Sequence, residues 1–146
     1  MANSARSDAD PCRVVTVLLV SSEEQGHRYF QSLFSRTNWA LHHVYTSEDA
    51  IALLARQPIP VVVAGERLPR RGWEEIIRAT EELPHHPKTV VATVLAEPAL
   101  LAEVMNLGGY DVLARPFDPQ EVVHCLSMAW LSWKYDRERE AARQRA

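Results

Sequence analysis

Apolar residues in this chain fall into short runs separated by stretches of helical period. Residues 13–20 are β-branched or leucine almost throughout, the pattern of a strand buried on both faces. Behind them Ser22-Glu23-Glu24-Gln25 reads as a capping box, and Tyr29, Phe30, Leu33 and Phe34 recur at helical spacing. A weaker strand over 39–45 precedes Thr46-Ser47-Glu48-Asp49, which caps a helix carrying Ala50, Ile51, Leu53 and Leu54 and stopped by Pro58. Residues 60–64 form a short buried strand, 65–72 a loop, and 73–83 a helix with Ile76 and Ile77 inward. After the break at Pro84-His85-His86-Pro87 come a strand over 89–94 and a helix over 98–107, opened by Pro98 and stopped by Gly108-Gly109. A last strand over 111–114 leads to a long helix with Asp118 as N-cap and Pro119 at its first position. Strand and helix alternate five times without a hairpin signal. The expected fold class is therefore α/β, a doubly wound, five-stranded parallel sheet.

Composition adds size and partners. A chain of 146 residues, 47% hydrophobic and 24% charged, holds one ordinary domain. We expect a disordered tail over 1–12, the domain over 13–135 and a charged helical extension over 136–146. With 16 Lys and Arg against 19 Asp and Glu, the net charge of −3 argues against a nucleic-acid partner. The longest apolar stretch, 14–20, is too short to cross a bilayer, and the polar residues 1–13 do not read as a signal peptide. No membrane partner is expected. Cys12 and Cys125 lie far apart without disulfide or zinc spacing, which suits a reducing, cytoplasmic setting. His42-His43 and His85-His86 lack the spacing of metal ligands on one face and read as solvated or satisfied histidines. With no Gly-rich phosphate loop, nucleophile elbow or His-Glu zinc motif, no cofactor or metal site is expected.

In an open parallel sheet, chemistry gathers beyond the carboxyl ends of the strands near the switch point. That selects Ser21, Ser22, Gly65, Glu66, Thr93 and Arg115. Around them stand Val17-Leu18-Leu19-Val20, Leu68-Pro69 with Gly72 behind, Thr93 ending a strand, Gly108 closing a helix, and Arg115-Pro116-Phe117 before the last helix. Together these resemble a response-regulator receiver domain of two-component signalling, over roughly residues 13–132. The resemblance implies the (βα)5 flavodoxin-like fold. It also implies a site where an acidic pair after the first strand binds Mg²⁺, an Asp after the third accepts a phosphoryl group, and a Thr and a Lys read the result.

Matched to this chain, the acidic pair becomes Ser21 and Ser22. The phosphoacceptor becomes Gly65 counted back from Pro69, or Ala64 counted back from Gly72. Thr93 is retained, and the Lys becomes Arg115, which keeps the charge but is a planar fork. The resemblance thus implies a pseudo-receiver that keeps the fold and loses metal binding and phosphorylation, and so is not an enzyme. Glu66 is the carboxylate that a phosphoacceptor with unusual site residues would recruit; otherwise it is a solvated loop residue or a partner for Arg115. Removing three carboxylates while keeping a guanidinium also suggests a small-anion pocket ringed by the Ser21, Ser22 and Thr93 hydroxyls. The pocket is closed instead if Arg115 pairs with Glu23, Glu66 or Glu97.

The last helix carries a second signal. Val122, Leu126, Ala129 and Trp133 form an inward stripe, while Val123, Trp130, Leu131 and Tyr135 lie partly off it. These four residues are the expected interaction surface, the alternative being an unusually thick core. The receivers this chain resembles commonly dimerise through their fourth and fifth helices and last strand, so a homodimer through the last helix is expected. Residues 136–146 offer Asp136 to Arg139 and Glu140 to Arg143 as i,i+3 pairs and lack coiled-coil a/d positions. They are too short for a DNA-binding output domain, and output is expected to pass through a protein partner in a phosphorelay-type pathway. Arg70-Arg71 gives the loop after the third strand a local basic spot.

Overall fold

The structure, a computed structural model, describes residues 10–145. Most of the expected disordered tail, 1–9, and the final residue lie outside the described residues. The elements run β1 (Thr16–Val20), α1 (Glu24–Phe34), β2 (Ala40–Val44), α2 (Ser47–Arg56), β3 (Val61–Gly65), α3 (Gly72–Thr80), β4 (Lys88–Thr93), α4 (Pro98–Leu107), β5 (Asp111–Ala114) and α5 (Pro119–Arg145). Every strand pairing is parallel, in the order β2-β1-β3-β4-β5. The expected fold class is what the chain adopts.

The near-continuous apolar runs of β1 and β3 are explained by what covers them. On one face Val17, Leu19, Val61 and Val63 pack with Phe30 and Phe34 of α1 and with Val122, Leu126 and Ala129 of α5. On the other, Leu18, Val20, Val62 and Ala64 pack with Leu54 of α2, Trp73, Ile76 and Ile77 of α3, and Leu100 and Val104 of α4. A strand sandwiched in this way has no polar face to present.

Local signals act as expected at most ends. The Thr46 side chain accepts from the Asp49 amide at 3.1 Å, and Asp118 Oδ1 accepts from the Gln120 amide at 3.1 Å. Gly108 ends α4 at φ 103°, a left-handed conformation costly for a residue with a Cβ. The Ser22 capping box does not form. α1 starts at Glu24 after Glu23, which makes no side-chain cap, so the N-cap position falls one residue beyond Ser22, while Ser21 Oγ accepts from the Glu23 amide at 3.0 Å. A short hydroxyl-to-backbone turn at Ser21 precedes the helix in place of a cap at Ser22.

Two further differences concern the ends of elements, and a third the pairing on the α5 extension. Val14 N and Arg13 N donate to the Asp10 carbonyl at 2.9 and 3.0 Å, so a turn occupies the start of the expected 13–20 strand and residues 10–12 belong to it. The helix expected over 73–83 stops at Thr80, whose hydroxyl turns back to the Ile77 carbonyl at 2.7 Å. α5 continues unbroken to Arg145, a helix of 27 residues and about 40 Å. Its extension is docked through Asp136, which pairs with Lys88 at 2.6 Å rather than with Arg139, and through Arg137, which lies 2.7 Å from His85 Nδ1, while Glu140 pairs with Arg143 at 3.9 Å. No helix among the described residues is long and apolar enough to cross a membrane.

Candidate functional site

The strand register brings the expected site residues to one edge. Val20 pairs with Ala64, Gly65 with Ala92, and Thr93 with Ala114, so Ser21, Gly65, Thr93 and Arg115 follow in neighbouring strands at the carboxyl end. Two backbone bonds extend that order past the strands. Glu66 N donates to the Ala92 carbonyl and Arg115 N to the Thr93 carbonyl, both at 2.8 Å. The order of connection reverses between β1 and β3, the switch point at which doubly wound folds place their sites.

Side chains divide this edge into two parts. Thr93 is buried, and its hydroxyl donates to Glu66 Oε1 in a short bond while accepting from the Leu95 amide at 3.2 Å. Glu66 therefore partners Thr93 and not Arg115. Ser21 is buried and committed to the backbone of Glu23, and Ser22 is exposed. Arg115 is paired with Glu23, but at 3.5 Å, and Glu23 is shared with Arg67 at 3.7 Å. Of the three acids expected as partners for Arg115, the structure selects Glu23.

The loop after β3 is held over this edge by arginines. Arg67 reaches Glu23, Arg70 reaches Glu48 of α2 at 3.8 Å, and Arg71 reaches Glu74 of α3 at 2.8 Å and Glu103 of α4 in a shorter contact. These groups are exposed, and each pair contributes little alone. Within this loop Arg70 and Arg71 have left-handed backbone, each at φ 55°.

Arg115 lies on the rim of a cavity of about 410 Å³ lined by Gln25, Gly26, Tyr29, Val94, Pro116 and Phe117. Gly26, buried within α1, makes room for it: a Cβ there would stand 3.2 Å from Arg115 Nη2. The guanidinium carbon sits 5.6 Å from the Phe117 ring centroid, and Phe117 packs on Tyr29 at 5.1 Å. The Tyr29 hydroxyl is buried with no hydrogen-bond partner, and burial and Asp118 push its pKa up. Pattern reading placed Tyr29 on the apolar face of a helix and not in a site, and did not single out Gly26. An isolated glycine in a helical pattern was the available signal for Gly26.

Three of the paired histidines have partners within the fold: His43, His86, whose Nδ1 meets the Thr80 carbonyl at 3.2 Å, and His85, whose Nδ1 lies 2.7 Å from Arg137 Nη1; the buried Nδ1 of His27 has none. His43 stacks on His27 at 4.0 Å, and its Nε2 meets the Ser21 carbonyl at 3.1 Å. Burial lowers the pKa of His42 and His43, and burial with nearby Arg137 lowers that of His85.

On α5, Trp130 is half-buried. Its Nε1 donates to the Pro11 carbonyl at 2.8 Å, and Lys134 lies over its ring, so the N-terminal turn covers part of the surface expected to face a partner. Val123 is half-buried, while Leu131 is 48% and Tyr135 60% exposed.

Comparison with known proteins supplies the context for this geometry. No family model matches the chain. The signal receiver domain of an HD domain-containing protein from Pseudomonas fluorescens is 26% identical and superposes with a TM-score of 0.79, covering 87% of this chain and 94% of that one. The chain has the receiver-domain fold. A CheY-like response regulator receiver domain protein from Methanospirillum hungatei, 14% identical, shares it at a TM-score of 0.73 over 84% of this chain and 98% of that one. The hydrogenase transcriptional regulatory protein HoxA of Cupriavidus necator is 26% identical over 118 residues, which are 78% of this chain. This chain spans about a quarter of HoxA, 24% of its length.

The Mg²⁺ that the resemblance implies needs carboxylate oxygens to replace its hydration shell. The residues at this receiver edge do not fit it. Ser21 and Ser22 offer hydroxyls, Gly65 has no side chain, Glu23 is shared by two arginines, and Glu66 holds Thr93. Among the described residues no three His, Cys, Asp or Glu gather closely enough to hold a metal ion.

Proposed function

We propose that this chain is a pseudo-receiver: a non-catalytic signalling module of the two-component type that works through protein contacts without phosphorylation. The observation that carries the reading is the bond from Thr93 to Glu66. In a working receiver that threonine must be free to meet a phosphoryl group, and here a resident carboxylate occupies it. Phosphoryl transfer depends on positioned charge around the attacking oxygen. The two serines supply none, and Ala64 and Gly65 offer no acceptor atom. The rival reading, a phosphoacceptor that recruits Glu66, would first have to break that bond.

The partner surface we propose is the outer side of α5, and its occupant a second copy of this chain. Leu131 and Tyr135, with Met128 at 42% exposure, form an apolar stripe spaced three and four residues apart. Such spacing gives a helix one continuous contact line. The net charge of −3 favours a protein over a nucleic acid. Free Cys12 and Cys125 suit a reducing cytoplasm.

Light scattering on the intact chain, with and without acetyl phosphate and Mg²⁺, tests both halves. A dimer unchanged by acetyl phosphate and dissociated by Leu131→Glu with Tyr135→Glu is expected. A strict monomer removes the homodimer, and a change of state on adding acetyl phosphate removes the pseudo-receiver.

A further inference from the structure

The hydroxyl side of the strand edge is closed, since Ser21 serves the Glu23 backbone and Thr93 serves Glu66. The Arg115 side is open, and its lining is largely apolar. A bare anion would gain one guanidinium there and desolvate against Val94, Pro116 and Phe117, which return nothing for the water it loses. A ligand with an apolar body and one carboxylate gains on both counts.

We propose that this cavity is a binding site for a small organic carboxylate with a flat apolar body. It has the size for one, at about 410 Å³, within the range of small-molecule sites. Its charge suits one too. A guanidinium has five N–H donors, and Arg115 uses its side chain on one long contact, 3.5 Å to Glu23. A carboxylate accepts in the planar geometry that an arginine offers and a lysine does not. Phe117 and Tyr29, packed at 5.1 Å, supply aromatic surface for the body. Gly26 completes the arrangement, since the absence of a Cβ lets the guanidinium lie against α1. The site does not depend on whether the chain is phosphorylated, because it uses neither Glu66 nor Thr93.

The test is an amide NMR titration of the intact chain with benzoate, compared with inorganic phosphate and benzyl alcohol at the same concentrations. Benzoate is expected to shift Gly26, Val94 and Phe117 saturably, with phosphate and benzyl alcohol each about tenfold weaker or more. Arg115→Gln is expected to cut benzoate binding about tenfold while leaving the rest of the spectrum in place. Phosphate binding as well as benzoate would reduce the site to a simple anion site and overturn the proposal. Benzyl alcohol binding equally well would remove the role of the charge, and an absence of shifts with benzoate would remove the site.

Discussion

Replacing Thr93 by valine deletes one hydroxyl and almost no volume, so its effect isolates the bond to Glu66. Thr93 is 2% exposed, and its hydroxyl is engaged on both sides, donating to the carboxylate and accepting from the Leu95 amide. A hydrogen bond to a charged group contributes about 1.5–3 kcal/mol net. The low end applies here, because Glu66 is half-buried and water solvates its carboxylate once the hydroxyl is gone. Thr93→Val is therefore expected to cost about 2 kcal/mol. Glu66→Ala should cost less, about 1 kcal/mol, because the freed hydroxyl can turn to the Leu95 carbonyl at 3.2 Å. In the double variant the two losses overlap, and a coupling of about 1 kcal/mol is expected. Urea unfolding followed by tryptophan fluorescence measures all four corners of the cycle. Additivity within about 0.3 kcal/mol would falsify the claim that Glu66 holds Thr93.

Three other outcomes follow from the same geometry. Gly26→Ala gains about 1 kcal/mol of helix propensity and loses part of a long, half-buried ion pair as Arg115 is pushed back, so unfolding should show a small net stabilisation, while benzoate binding weakens; tighter benzoate binding would contradict the packing assigned to Gly26. His42, His43 and His85 have folded pKa values below the ordinary 6.5, so the unfolded chain takes up their protons first. Their contribution is full above that pH and is lost as the pH falls below it, by at most about 1.4 kcal/mol per unit for each ring. Urea midpoints at neutral and mildly acid pH check the sign, which a higher acid midpoint would reverse. Cys125 is buried and its thiol is pushed up to about 12 by burial and Asp111, so a thiol reagent near pH 8 should label Cys12 alone until the chain is unfolded.

The fold was legible because its signals are local and redundant. The apolar run of β1, the Asp118 cap and the Gly108 stop each act within a few residues, and the order of elements restricts the sheet to one class. The positions of the site were legible for the same reason, since a parallel register brings strand ends together. Their pairings were not. Whether Glu66 meets Arg115 or Thr93 depends on the path of the β3–α3 loop and on side-chain rotamers, neither of which leaves a periodic trace. The Ser22 cap was misplaced by one residue: the helix starts after Glu23, and the hydroxyl that engages the backbone there is that of Ser21. Trp130 illustrates a longer reach. The apolar excess on α5 was visible, but part of its cover is Pro11, more than a hundred residues earlier in the chain.

The central claim is that the strand edge has left phosphoryl chemistry, and intact-mass measurement after incubation with acetyl phosphate and Mg²⁺ tests it most directly. The mass of the chain is expected to be unchanged. One acid-labile phosphoryl group per chain, lost in Glu66→Gln, would contradict it and restore the reading of an unusual phosphoacceptor.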